Sequence, residues 1–235
     1  DLAVIVVPAP QVPAVSRECV QKGVKAAVII SSGFSETGEQ GGKLETELVK
    51  IARQGGMRFI GPNSMGYADT SSHFSTVAWV KEISPGPVAL ISQSGYYGEH
   101  IIYNAKASGI GFSKFISSGN EADLHLEDYL EYLTQDENTK IITAYVEGLR
   151  EGRRFFQLAK KITIRKPVVV IKSGGTKESA KAAQSHTGTL AGSDEVYTGA
   201  FKQAGVIRVN DDDELCDVVA ALLNQPLPKN NRVGI

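Results

Sequence analysis

Short β-branched runs separated by amphipathic stretches set the rhythm of this chain. Ala3 to Val7 is a continuous apolar run stopped by Pro8 and Pro10. Such a run suits a strand covered on both faces. Residues 13 to 22 then space Val15, Cys19 and Val20 as a helix would, and Gly23 supplies its stop. Ala26 to Ile30 reads as a second buried strand ending in Ser31-Ser32-Gly33. A helix is expected from about Lys43 to Gln54, closed by Gly55-Gly56, before a short strand at Arg58 to Ile60 that ends in Gly61-Pro62-Asn63. This β-α-β-α-β order implies a parallel sheet. Residues 64 to 82 lose the rhythm and read as irregular or edge structure.

Ser84-Pro85-Gly86-Pro87 is the expected boundary, and a second β/α series follows it. Strands are expected at Val88 to Ile91, Gly111 to Ile116, Lys140 to Val146, Val168 to Ile171 and Val206 to Val209. Helices are expected from Gly95 to about Ala107, at Leu124 to Leu133, at Arg153 to Ile162, at residues 193 to 204, and at Asp212 to Leu223. Five strands alternating with helices predict a flavodoxin-like sheet. The fold class is therefore α/β: part of a Rossmann-like domain over 1–83 and a flavodoxin-like domain over 84–225. Residues 226–235 read as a polar linker, with Arg232 to Ile235 as the first strand of a further domain.

The bulk numbers narrow the function. Among 235 residues the formal net charge is −1, so no charge excess points to nucleic acid or an acidic membrane surface. Arg150, Arg153 and Arg154 form the only tight basic cluster, which reads as a solvated helix start. Cys19 and Cys216 fit no metal or redox spacing, and two reduced thiols suit the cytoplasm. No apolar stretch approaches the roughly 20 residues that span a bilayer. Asp1 leads straight into a strand-like run without a signal peptide, so the expectation is that an N-terminal portion of the first domain is missing.

In open parallel sheets ligands bind beyond the carboxyl ends of the strands. The unusual turns fall there: Pro8, Ser31 to Gly33 and Gly61 to Asn63 in the first unit, and Ser92 to Gly95, Ser117 to Asn120, Glu147-Gly148 and Ser173 to Thr176 in the second. Ser94-Gly95 precedes a helix, where unpaired N–H groups and the dipole favour an anion. A plain N-cap is the alternative there. No phosphate-binding P-loop motif is present. The segment from Ser179 to Gly192 is long for a loop of this fold class, small and polar, with His186 at its centre. A neutral imidazole is a competent nucleophile, and small flexible neighbours suit a side chain that accepts a phosphoryl group and swings. His73, His100 and His125 have no such setting and read as ordinary surface residues. Glu147, at a strand end, is either a solvated carboxylate or the partner that fixes an imidazole's tautomer. Asp211, Asp212 and Asp213 read as acids at a helix start.

Together these pieces resemble the CoA-ligase superfamily of succinyl-CoA synthetase and the ADP-forming acetyl-CoA synthetases. The resemblance covers essentially the whole chain. Val6-Val7-Pro8-Ala9-Pro10, Ser31-Ser32-Gly33-Phe34-Ser35-Glu36 and Gly61-Pro62-Asn63-Ser64-Met65-Gly66 are similar to the later part of its CoA-binding domain. Ser92-Gln93-Ser94-Gly95, Ser117-Ser118-Gly119-Asn120-Glu121 and Ser185-His186-Thr187-Gly188 are similar to its first ligase domain. The SSGFSE and SHTG segments are closer to the ADP-forming acetyl-CoA synthetase branch than to the succinate branch.

The resemblance implies a phosphohistidine at His186, paired with Glu147. It implies phosphate binding at Ser94, Gly95, Thr187 and Gly188, and contact with coenzyme A at Val7, Pro8, Ser31, Ser32, Gly33 and Asn63. Gly119 and Asn120 would lie near the acyl and phosphate end. The implied activity is acid–thiol ligation through an acyl phosphate, with phosphate, coenzyme A and a small carboxylic acid as reactants. ADP or ATP with Mg²⁺ would sit on a partner, an ATP-grasp domain or β subunit, in an oligomer; no resident metal, nucleic acid or membrane is expected. The chain lacks the family's glycine-rich strand-turn-helix and its ATP-grasp domain, so a piece of a larger assembly is the expectation. The alternative is a non-catalytic acyl-CoA-binding module, as in protein acetyltransferases similar to this family; those typically lack the histidine.

Overall fold

The computed structural model describes residues 1–77, 82–174 and 194–226. His186, Thr187 and Gly188, and the expected linker and strand over 227–235, lie outside the described residues. The first unit is a three-stranded parallel sheet, β1 (Leu2–Ile5), β2 (Ala26–Ile29) and β3 (Arg58–Ile60), in that spatial order. Leu2 pairs with Ala26, and Ala26 in turn with Arg58. Helices α1 (Val12–Gln21) and α2 (Glu39–Gln54) cover one face. There Val12, Leu48, Ala52, Phe34 and Met57 pack against Ile5, Ala27, Ile29 and Phe59.

Helix α2 starts four residues before the expected Lys43. Gly41 permits this, because a Cβ at that position would stand 1.8 Å from the Phe34 carbonyl oxygen. Gly41 is therefore needed for close packing, whereas a Cβ at Gly42 would meet nothing within 4 Å.

The second sheet has seven strands. In chain order they are β4 (Gly66–Asp69), β5 (Phe74–Ser75), β6 (Pro85–Ser92), β7 (Phe112–Ser117), β8 (Ile141–Val146), β9 (Val168–Lys172) and β10 (Ile207–Val209). The spatial order is β10-β9-β8-β6-β7-β4-β5. Counting only the five parallel strands, this is the flavodoxin order 2-1-3-4-5. Helices α4 (Leu126–Gln135), α5 (Gly152–Ile162) and α6 (Asp194–Ala204) cover one face; α3 (Gly95–Ala107) and α7 (Asp212–Asn224) cover the other. Strands β7 and β9 are buried at every position: β9 is a β-branched run closed by Lys172, as a strand between two helical layers requires, whereas β7 also buries Ser113, Lys114 and Ser117.

The stretch that loses its rhythm after residue 64 is edge structure of this second sheet. β4 runs antiparallel to β7, with Gly66 opposite Ser117 and Asp69 opposite Lys114, and β5 folds back on β4. The chain thus reaches the second sheet before Ser84-Pro85-Gly86-Pro87. Lys114 is 2% exposed on β7, and its ammonium lies 3.3 Å from Asp69 and 3.1 Å from Asp136.

The two sheets meet at their strand ends. After β3, the Gly61–Pro62 peptide is cis and Asn63 is left-handed at φ 57°. The turn after β7 docks on it: Asn120 N–H donates to Pro62 O at 2.9 Å and Ala122 N–H to Gly61 O at 3.1 Å. Gly119, at φ 60°, is fixed by this approach, since a Cβ would meet Pro62 O at 2.2 Å. Asp123, 1% exposed, accepts from Arg53 and Arg58 side chains and from the Phe59 N–H. Among the described residues no helix is long and apolar enough to cross a membrane.

Candidate functional site

A cavity of about 390 Å³ opens where the two units join, lined by Ser32, Asn63, Met65, Gln93, Ser94 and Gly95 among others. It collects two of the six residues expected at coenzyme A, Ser32 and Asn63, with two of those expected at phosphate, Ser94 and Gly95. Every one of these sits just beyond the carboxyl end of a strand, as open parallel sheets require. Ser94 is the N-cap of α3 and accepts from the Tyr97 N–H at 3.3 Å. No acidic residue occupies the first turn of α3, and Glu99, one turn further on, lines the same cavity. The N-cap and the anion-binding readings of Ser94 are compatible.

The other expected coenzyme A positions serve the local frame. Ser31 Oγ donates to Val7 O at 2.5 Å and accepts from Val7 N–H at 3.2 Å, which ties β1 to the turn after β2. Pro8 opens a one-turn 3₁₀ segment, Ala9–Gln11. The Gly33 N–H donates to Glu36 Oε1 at 2.6 Å. Neither Val7, Pro8, Ser31 nor Gly33 lines the cavity.

Asn120 forms the bridge between units. Its Nδ2 donates to Glu36 at 2.5 Å, Glu45 at 2.9 Å and Ser35 at 3.2 Å, and its Oδ1 accepts from Asn63 at 3.3 Å. Burial alone would raise the Glu36 carboxyl. The Asn120 amide and the Gly33 and Phe34 N–H groups outweigh it and hold Glu36 below its ordinary range. Arg150 adds a bond to the Asn120 carbonyl at 2.7 Å. Arg154 bonds Asp128, Glu131 and Glu151. The basic cluster is thus not merely a solvated helix start.

Glu147 follows β8 and is 9% exposed. It does not line the cavity; it reaches it through Gln93. Gln93 Oε1 accepts from the N–H of Glu147 at 2.6 Å and of Gly148 at 3.0 Å, and its Nε2 donates to Gly148 O at 2.8 Å. Beneath this clamp Tyr97 and Tyr145 stack at 4.3 Å. Gln93 and Glu121 are the residues that sequence reasoning passed over. Both stand inside the quoted turns, and the only signal was an amide and an acid at strand ends where apolar or solvated residues would serve the fold equally.

His125, Glu127 and Glu151 each bring a donor atom within 4.8 Å of the others. They lie at the starts of α4 and α5, where helix dipoles favour anions, and Arg154 already holds a Glu151 oxygen at 3.0 Å. Glu127 Oε1 accepts from the Glu151 N–H at 3.3 Å, while its buried Oε2 has no hydrogen-bond partner among the described residues. Cys19 and Cys216 are both free thiols.

A flavodoxin-order sheet joined at its strand ends to a Rossmann-type parallel unit, over one shared cavity, defines a two-part α/β ligand-binding protein. Residues 85–222 match the family described as the succinyl-CoA ligase like flavodoxin domain, and residues 1–70 match a CoA binding domain family. The chain belongs to the succinyl-CoA ligase like flavodoxin domain family. It is 49% identical over its whole length to the alpha subunit of ADP-forming acetate–CoA ligase II of Pyrococcus furiosus, of which it spans 51%. It is 46% identical, again over its whole length, to ADP-forming acetate–CoA ligase of Methanocaldococcus jannaschii, of which it spans 33%. Among solved structures, the dinucleotide-forming acetyl-coenzyme A synthetase 1 of Ca. Korarchaeum cryptofilum in complex with phosphate and ADP superposes with a TM-score of 0.93 at 41% identity. That match covers 98% of this chain and 50% of the other. The chain thus spans about half the length or less of these relatives.

Proposed function

We propose that this chain is the coenzyme A-binding and histidine-phosphorylated part of an ADP-forming acyl-CoA synthetase acting on a small carboxylic acid such as acetate. The observation that carries this reading is the shared cavity. It sets Ser32 and Asn63 of the coenzyme A unit against the Ser94-Gly95 start of α3, with Glu147 held behind by Gln93. Full-length similarity to ADP-forming acetate–CoA ligases supports it.

In the acyl-CoA-consuming direction, a phosphate oxygen attacks the thioester carbonyl carbon. The C–S bond breaks, coenzyme A leaves as the thiol after taking a proton, and an acyl phosphate forms. A ring nitrogen of His186 then attacks phosphorus, the P–O bond to the acyl group breaks, and the carboxylate departs. Finally an oxygen of ADP attacks the same phosphorus and the P–N bond breaks. The start of α3 stabilises the phosphoryl charge, and Glu147 stabilises the imidazolium that develops. The ADP and Mg²⁺ site belongs to an ATP-grasp domain or β subunit. A cytoplasmic oligomer is the expected setting.

The test uses the complete synthetase, with its nucleotide-binding partner, and radiolabelled ATP. The expected label is acid-labile, base-stable, on His186 and absent from His186→Ala. Glu147→Gln should slow labelling by about 10²-fold or more, the scale of lost charge stabilisation at such a site, while circular dichroism stays unchanged. A phosphoryl group located on another residue would refute the assignment, and an unchanged rate removes Glu147 from the mechanism.

A further inference from the structure

Behind the cavity, and outside the chemistry above, lies a second acid. Glu121 is 2% exposed, and neither of its carboxyl oxygens has a hydrogen-bond partner among the described residues. Its backbone is left-handed at φ 52°, unusual for a residue with a side chain. The bonds of Asn120 and Ala122 to Pro62 and Gly61, on either side, impose that conformation. The turn therefore spends backbone strain to drive an acid inward, which needs a reason beyond packing.

The orientation of Gln93 supplies one. Its Oε1 accepts two backbone N–H groups and one Nε2 hydrogen goes to Gly148 O, so only one arrangement of the amide satisfies the Glu147-Gly148 turn. The remaining Nε2 hydrogen is free for Glu121, whose carboxyl is faced by the Gln93 amide, the Ser118 hydroxyl and the Leu126 N–H. From α4 it meets the Glu127 carboxyl and the Tyr129 phenol, and Glu147 stands across the Gln93 amide. None of these groups is a cation. A neutral acid fits this setting: with a hydrogen on one oxygen, Glu121 can take up the free Gln93 hydrogen and donate to Ser118, which itself donates to Ser92 O, bonds that its oxygens do not make in the structure. A carboxylate would add a buried negative charge behind Glu147, with no cation among the groups named here to offset it.

We propose that Glu121 is a positioning residue for phosphoryl transfer, holding the Glu147-Gly148 turn through Gln93 as a neutral carboxylic acid and weakening the site when it ionises. The proposal rests on the acyl-CoA synthetase reading. Burial pushes the Glu121 carboxyl up to about 7, so the change falls within the working range of pH.

The test compares the complete synthetase with its Glu121→Gln variant, which keeps the shape and cannot ionise. The rate of His186 labelling from ATP is followed from pH 6.5 to 8.5. The ratio of variant to wild-type rate should rise about tenfold or more across that range, because the neutral fraction of an acid titrating near 7 falls by that much. A flat ratio would overturn the proposal, since a merely structural Glu121 leaves the pH profile unmoved. An independent readout is the carbon-13 carboxyl signal of Glu121, assigned by its loss in the variant. A midpoint near 7 supports the proposal, and titration in the ordinary carboxylate range overturns it even if the variant folds poorly. A wild type that carries no histidine label at any pH refutes the synthetase reading itself, and the carboxyl titration still reports on Glu121.

Discussion

Replacing Asp123 with Ala removes a buried carboxylate that ties the flavodoxin-like unit to the first sheet. The side chain is fully buried, whereas its partners Arg53 and Arg58 are 56% and 53% exposed. When Asp123 is lost, both guanidinium groups return to water, so each pair contributes only about 0–1 kcal/mol. The Phe59 N–H cannot do the same. It is buried in β3 and donates to Asp123 Oδ2 at 3.1 Å, and leaving it without an acceptor costs about 1–3 kcal/mol. The sum is roughly 1–5 kcal/mol, equivalent to a fall of about 2–20 °C in Tm for a chain of this size. Arg53→Ala leaves Asp123 with Arg58 and the Phe59 N–H and should cost no more than about 1 kcal/mol. Thermal and urea unfolding of both variants, followed by circular dichroism, gives the comparison. Equal losses for Asp123→Ala and Arg53→Ala would refute the reasoning, because they would place the energy in the exposed ion pairs rather than in the buried N–H.

Lys114→Met should destabilise the fold by about 3–5 kcal/mol at pH 7, since it leaves Asp69 and Asp136 facing each other. Burial would raise both acids, but hydroxyl bonds from Ser71 and Thr139 and the Lys114 ammonium hold them below their ordinary values. A depressed carboxyl contributes stability above its unfolded pKa, near 3.9, and loses it as pH falls through the folded value. The gap between wild type and variant should therefore shrink toward pH 3, and a gap independent of pH in urea melts would count against the triad. Asn120→Ala removes the bridge from Glu36, Ser35 and Glu45 to Asn63. It should raise the half-saturating coenzyme A concentration by about tenfold, the worth of one or two hydrogen bonds, while His186 labelling from ATP persists. An equal fall in labelling would move Asn120 to the phosphoryl site.

The parallel architecture was legible because its strands are buried on both faces. Val168 to Ile171 or Ile141 to Val146 cannot alternate with polar residues and remain between two helical layers. What escaped were features decided by contacts distant in sequence. β4 and β5 carry no strong apolar run; β4 is a strand because the free edge of β7 accepts it, and β5 because it folds back on β4. The early start of α2 depends on the Phe34 carbonyl lying against Gly41. At the site, Ser94 and Asn63 could be named because turns at strand ends announce themselves. Gln93 could not be given its task, since its value lies in bonds to a peptide more than fifty residues away. Ser31 and Gly33, expected at coenzyme A, also bond locally: Ser31 to Val7 and Gly33 to Glu36.

The loan of β4 and β5 to the second sheet makes the junction a topological weld. A shortened protein beginning at the family boundary near residue 85 would strip the cover from β7, whose six residues are all buried. It would present a bare ladder of N–H and C=O groups along β7 and part Lys114 from Asp69; an open edge of that kind recruits other chains. Domain-swapping experiments between relatives should therefore cut before Gly66 rather than after Ser75, or they will yield aggregates instead of chimaeras.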